Sequence, residues 1–232
     1  MRWLARLLGR GPALDPAQDR ERAAWRALGA PDLSREFAQS RFVVVDVESS
    51  GLNPFRDRLI SIGAIAVDGG RIDLAQSFEV VLRQETASDH ANILIHGITG
   101  TEQRGGVEPA EALLRFLAFA GKDPLVAYHA GFDKAMIGRA LRDVLGLRLS
   151  QGWLDLTYLA PAVCPERAGR GRSLDDWLGR FGITVYQRHN AVADTFATAQ
   201  LFVALQASAA RHQLRTCRDL FNAEKAEFWQ HR

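Results

Sequence analysis

Asp46 and Glu48 stand two residues apart at the end of the apolar run Phe42-Val43-Val44-Val45. That run is β-branched and too short for a helix, so it reads as a buried central strand. Residues i and i+2 of a strand leave it on the same side, which sets the two carboxylates together. Two acids at the end of an apolar run are costly unless something cationic meets them; a solvated turn is the plainer alternative for the pair alone. Ligands of open α/β sheets collect beyond the carboxyl ends of strands, which is where this pair falls. Oxygen donors with no cysteine and no obvious histidine beside them suit Mg²⁺ or Mn²⁺ rather than Zn²⁺.

Two further acids could join them. Asp133 follows the strand-like segment Pro124 to Tyr128 through the small residues Ala130 and Gly131 and begins a helix. Alone, it is an ordinary first-turn helix acid favoured by the macrodipole. His189 precedes Asp194 by five residues in His189-Asn190-Ala191-Val192-Ala193-Asp194. If a helix begins near Asn190, Asp194 lies more than a turn inside it. Its neighbours Ala191, Ala193, Ala197 and Thr198 leave room for another group, though small residues also suit plain packing. Alone, His189 reads as a surface loop histidine.

The elements that must position these residues can be laid out from pattern. Asp15-Pro16 reads as an N-cap with proline in the first turn, opening an amphipathic helix. After the Phe42 strand, Leu59 to Val67 and Arg71 to Leu82 flank Asp68-Gly69-Gly70, a hairpin signal, so three antiparallel strands are expected. Helices are expected at Pro109 to Phe119 and Phe132 to Leu145, with short strands at Pro124 to Tyr128 and Trp153 to Leu156. That half has the alternation of βαβ winding. Ser173 to Asp176 resembles a capping box opening a helix through Arg180, and helical spacing returns over Val192 to Leu205 and His212 to Trp229. The chain is expected to divide into a helical lead-in at 1–40, one domain at 41–208 and a C-terminal helix at 209–232 packed on it.

Bulk properties exclude little. The 232 residues are 47% hydrophobic and 24% charged, enough for one core that needs no staples. Cys164 and Cys217 have no Cys or His at metal-ligand spacing, and no apolar targeting segment leads the chain, so a reducing cytosol is the expected compartment. The first ten residues interleave Arg2, Arg6 and Arg10 with Trp3, Leu4, Leu7 and Leu8, a pattern that suits a basic amphipathic helix or a frayed terminus. No membrane partner is expected. A net charge of +2 neither demands nor excludes nucleic acid, although Arg167, Arg170 and Arg172 could follow a phosphate backbone.

In order and spacing, these segments resemble the three exonuclease motifs of the DEDDh branch of the DnaQ-like family, the family of the DNA polymerase III epsilon subunit. Asp46-Val47-Glu48-Ser49-Ser50-Gly51-Leu52 resembles the first motif, His129-Ala130-Gly131-Phe132-Asp133 the second, and His189 to Asp194 the third. His96-Gly97-Ile98-Thr99 is similar to a segment lining the family's site. The resemblance implies a ribonuclease H-like mixed five-stranded sheet, an antiparallel meander plus parallel strands, flanked by helices. It implies a 3′→5′ exonuclease releasing nucleoside 5′-monophosphates from DNA 3′ ends, with two Mg²⁺ or Mn²⁺. Asp46, Glu48 and Asp194 would hold one metal, and Asp46 with Asp133 the other. His189 would take a proton from the attacking water, a task its usual pKa near 6.5 suits. Ser50, Gly51, Leu52, His96 and Phe132 would grip the terminal nucleotide.

Two departures stand out. Ser49-Ser50 replaces the family's usual pair of threonines and keeps both hydroxyls, while Ala130 replaces a frequent asparagine and loses an amide near the loop. Trimming of RNA ends, or a non-catalytic nucleic-acid-binding module, are the rival readings, since nothing in the motifs reports on a 2′-hydroxyl. Proofreading would require a polymerase or other replication or repair partner.

Overall fold

The computed structural model describes residues 14–169, 171–185 and 191–230. Asp15 caps α1 (Pro16–Ala27), its carboxylate accepting from the N–H groups of Ala17 and Gln18, with Pro16 in the first turn. The sheet strands are β1 (Arg41–Ser49), β2 (Leu59–Asp68), β3 (Arg71–Val81), β4 (Leu125–Ala127) and β5 (Trp153–Asp155). The helices after β3 are α2 (His90–His96), α3 (Gly100–Gly105) and α4 (Pro109–Ala120). α5 (Ala130–Ala140) follows β4, and α6 (Leu156–Val163), α7 (Leu174–Phe181), α8 (Ala191–Arg211) and α9 (Cys217–Gln230) follow β5. The segment Met1 to Arg10, with its interleaved arginines and apolar residues, lies outside the described residues.

The five strands lie in the order β3-β2-β1-β4-β5. β1–β2 and β2–β3 are antiparallel, and β1–β4 and β4–β5 are parallel, as the alternation of patterns requires. The hairpin between β2 and β3 turns on Gly69 and Gly70, both at positive φ. Helices cover both faces. Val43, Val45 and Val47 of β1 pack with Ile62 and Ala64 beneath α4 and α5, through Leu113, Phe116, Met136 and Ile137. Phe42 and Val44, on the other face, pack with Ile65 and Val67 beneath α8, through Leu201, Phe202 and Leu205. Phe42 and Phe202 meet edge to face at 5.0 Å. Truncating either ring to alanine is worth about 3–5 kcal/mol.

β1 ends in the two acids, as the pattern has it, and stops at Ser49; β2 keeps pairing with it there (Asp46 with Gly63, Glu48 with Ser61) after β4 has stopped. Two local features differ from the sequence pattern. The short helices α2, α3 and α6 carry no long apolar period, and only their caps announce them: Asp89, the Thr99–Glu102 capping box, and Asp155. The helix expected from Phe132 starts earlier, at Ala130, and its last turn, Leu141–Leu145, widens into a π-turn.

Candidate functional site

Asp46 and Glu48 share the face of β1 that α8 covers, and Asp194 stands in the first turns of α8. Packing of Leu201, Phe202 and Leu205 onto the sheet therefore brings the Asp194 end of that helix over the acid pair. A carboxylate oxygen from each of Asp46, Glu48 and Asp194 lies within 4.8 Å of the others. Asp194 is buried and the other two are half-buried. Burial, with the Asp194 carboxylate beside it, pushes the Glu48 carboxyl up to about 7. Three oxygen donors this close, with no nitrogen or sulfur among them, fit a hard divalent cation such as Mg²⁺ or Mn²⁺. The cation would relieve the repulsion that burial concentrates here.

Asp133 projects from the first turn of α5 and is 4% exposed. Burial pushes its carboxyl up to about 8, with Asp155 and Glu48 adding to the rise. Hydrogen bonds from the backbone of Asp133 itself and of Val47 pull it back. Asp155, at the end of β5, was not apparent as a site residue. It accepts from His129 N (3.1 Å) and Thr157 N (2.9 Å), and so ties β5 to the turn that delivers Asp133. Its position at the end of a strand, like that of Asp46, was the available signal. His129 itself sits at φ 61°, a left-handed conformation rare outside glycine, with its ring held to Thr157 Oγ1 at 3.2 Å.

The loop after β1 is tightly drawn. Ser49 Oγ donates to Gly51 O (2.6 Å), and Ser50 Oγ accepts from Arg58 N (2.9 Å), so both hydroxyls brace the neck of the loop. Asp57 accepts from Asn53 N at 2.7 Å and packs against Gly51; a Cβ there would sit 2.5 Å from Asp57 Oδ2. Arg139 of α5 donates to Asp57 O and fastens the loop to the helix that carries Asp133. The result holds Leu52 (92% exposed) and Phe55 (81% exposed) out in solvent.

α2 closes the same end of the sheet, with Asn92 Nδ2 donating to Ser49 O at 3.0 Å. His96 is buried, and both ring nitrogens are engaged: Nδ1 accepts from Ile98 N (2.9 Å), and Nε2 faces Asn92 Oδ1 (2.9 Å). Burial lowers its pKa, and an accepting Nδ1 leaves the proton on Nε2. Gly97 completes this turn at φ 74°. A cavity of about 370 Å³ opens between Glu79 to Val81 and His96 to Ile98. Phe132 is partly buried against the core. His189 lies outside the described residues, as does Arg170. Arg167 is folded back onto Phe181 and Arg180 O, and the Arg172 carbonyl accepts from Tyr128.

A mixed sheet of this order, with carboxylates gathered where its central strand leaves the ladder, defines a ribonuclease H-like nuclease architecture. The Exonuclease family model, RNase_T, matches residues 43–202, and the chain belongs to that family. A DNA polymerase III subunit epsilon-like protein of Rhodobacter capsulatus is 34% identical over 167 residues, 71% of this chain and 23% of that protein. A PolC-type DNA polymerase III of Thermotoga maritima is 30% identical over 169 residues. The match spans 72% of this chain and 12% of that polymerase. Among solved structures, Escherichia coli Exonuclease I with a dT13 oligonucleotide superposes with a TM-score of 0.63 at 22% identity, covering 75% of this chain and 42% of that one. Exonuclease X with 5′-overhanging duplex DNA gives a TM-score of 0.61 at 18% identity, covering 79% and 99%. No helix among the described residues is long and apolar enough to cross a membrane.

Proposed function

We propose that this protein is a 3′→5′ exonuclease that shortens single-stranded DNA from its 3′ end, releasing nucleoside 5′-monophosphates with two Mg²⁺ or Mn²⁺ bound. The observation that carries the reading is the convergence of Asp46, Glu48 and Asp194 within 4.8 Å. Those three would hold one cation, and Asp46 with Asp133 the other. Bound cations supply charge neutralisation for the phosphodiester and for its leaving alkoxide. The chain's own residues do the rest. The Ser49–Asp57 loop holds Gly51 and Leu52 against the terminal nucleotide, with Ser50 and His96 keeping that wall rigid and Phe132 backing it. His189 takes the proton of the attacking water, and Asp155 fixes the turn that aims Asp133.

Membership in the exonuclease family and the oligonucleotide-bound relatives support this reading. The kinship with polymerase III proteins supports a replication or repair partner. The test is digestion of 5′-labelled single-stranded DNA and matched RNA in Mg²⁺ or Mn²⁺, with a second DNA whose 3′-terminal linkage is blocked. Progressive shortening of DNA in preference to RNA, stopped by the 3′ block, is expected. Shortening that ignores the block, or a preference for RNA, contradicts the polarity or the substrate.

A further inference from the structure

Ser61 stands directly across the β1–β2 ladder from Glu48. Opposed residues of an antiparallel pair point to the same face, with Cβ atoms about 4.5–5.5 Å apart. The alternation along β2 agrees: Ile65 and Val67 pack beneath α8, whereas Ile62 and Ala64 pack on the other face. Ser61 therefore belongs to the layer that holds the carboxylates. Its other neighbour in the ladder, Val81 of β3, offers no polar side chain.

The Ser61 side chain is completely buried, and its Oγ has no hydrogen-bond partner among the described residues. A buried hydroxyl left unpaired costs free energy that alanine, of nearly the same volume, would not incur. Packing therefore gives no reason for a serine. A partner that arrives with the ligand does.

We propose that Ser61 is a positioning residue for the candidate metal centre, its hydroxyl donating a hydrogen bond to the Glu48 carboxylate when that carboxylate turns to hold a divalent cation. The inference rests on Asp46, Glu48 and Asp194 being metal ligands. Groups that orient a ligating carboxylate typically contribute 10–100-fold to metal affinity. A hydroxyl that is unsatisfied without the cation and satisfied with it should leave a double signature: removing it weakens the metal complex and stabilises the metal-free protein.

The test is calorimetric titration of the full chain with Mn²⁺, together with thermal unfolding in EDTA, for wild type and for Ser61→Ala, Ser61→Thr and Ser61→Val. Thr and Val share a shape and differ only in the hydroxyl. Mn²⁺ binding weakened about 10-fold or more in Ala and Val but near wild type in Thr is expected. In EDTA the midpoint of Ser61→Ala should be at or above that of wild type. Equal Mn²⁺ affinity in Ala and wild type overturns the inference while leaving the metal centre standing. So does a loss shared equally by Thr and Val. Failure of wild type to bind Mn²⁺ overturns the metal reading itself, and this inference with it.

Discussion

The buried Asp133 carboxyl faces the backbone amide of Val47, which favours its charged form, at the point where β1 has lost its parallel neighbour. Val43 N–H reaches Pro124 O, so by alternation Val47 N–H points the same way, but β4 ends at Ala127. The side chain of α5 takes over where the ladder stops. An acid that serves the backbone and the candidate site together should respond differently to its two substitutions. Asp133→Asn keeps an acceptor and should unfold near the wild-type temperature in EDTA, yet lose exonuclease activity. Asp133→Ala should lose activity and also about 1–3 kcal/mol of stability, from the orphaned N–H. Denaturant unfolding of the two variants measures the difference.

Stability should depend on pH with a sign set by Glu48 and Asp133, raised to about 7 and about 8 from ordinary values of 4.5 and 3.8. Raised carboxyls hold protons in the folded state that the unfolded chain releases. Their contribution is most favourable below about pH 4 and is lost as pH climbs through the raised values. Metal-free protein should therefore unfold at a lower temperature at pH 8.5 than at pH 6. Glu224, raised to about 7 by burial beside Asp155, acts in the same direction. Saturating Mg²⁺ at about 100 times its Kd should restore roughly 5–10 °C at pH 8.5. The gain should be smaller at pH 6, where protons compete for the same oxygens.

Gly51 and Leu52 separate loop geometry from contact. In Gly51→Ala the new Cβ meets the Asp57 carboxylate at 2.5 Å, so that side chain must give way and loosen its hold on Asn53 N, which braces the loop. A misplacement of about 1 Å can cost on the order of 10²-fold in rate. Leu52 is 92% exposed, so Leu52→Ala should change stability by no more than about 0.5 kcal/mol while raising KM for single-stranded DNA. Steady-state kinetics beside thermal unfolding check both.

His189→Ala should bind Mn²⁺ and oligonucleotide as wild type does, yet turn over about 10²–10⁴-fold more slowly. Calorimetry and single-turnover digestion test the two halves, and a variant of full activity contradicts the general-base role.

The sheet was legible because its strands declare themselves. Phe42 to Val45 and Leu59 to Val67 are apolar and β-branched, and Asp68-Gly69-Gly70 fixes one register. The acids were legible in Asp46-Val47-Glu48, since a period of two needs no tertiary information. Their convergence with Asp194 was not, because it depends on how α8 lies across the sheet; only the motif order suggested it. Asp155 and Ser61 stayed hidden for a related reason. Each is an unremarkable strand residue whose meaning comes from its neighbour in space, His129 for one and Glu48 for the other. His96 was expected to line the site from the motif alone; the engagement of both its ring nitrogens by Asn92 and Ile98 had no signal in the sequence.

Whether the carboxylates around Asp46 make this fold a metal-dependent exonuclease is decided by digesting 5′-labelled single-stranded DNA with wild type and Asp46→Ala at equal concentration, with Mg²⁺ titrated from zero. A ladder that appears only with the metal and is absent in Asp46→Ala at every Mg²⁺ concentration is expected. Digestion by wild type in EDTA, or an undiminished ladder from Asp46→Ala, contradicts it.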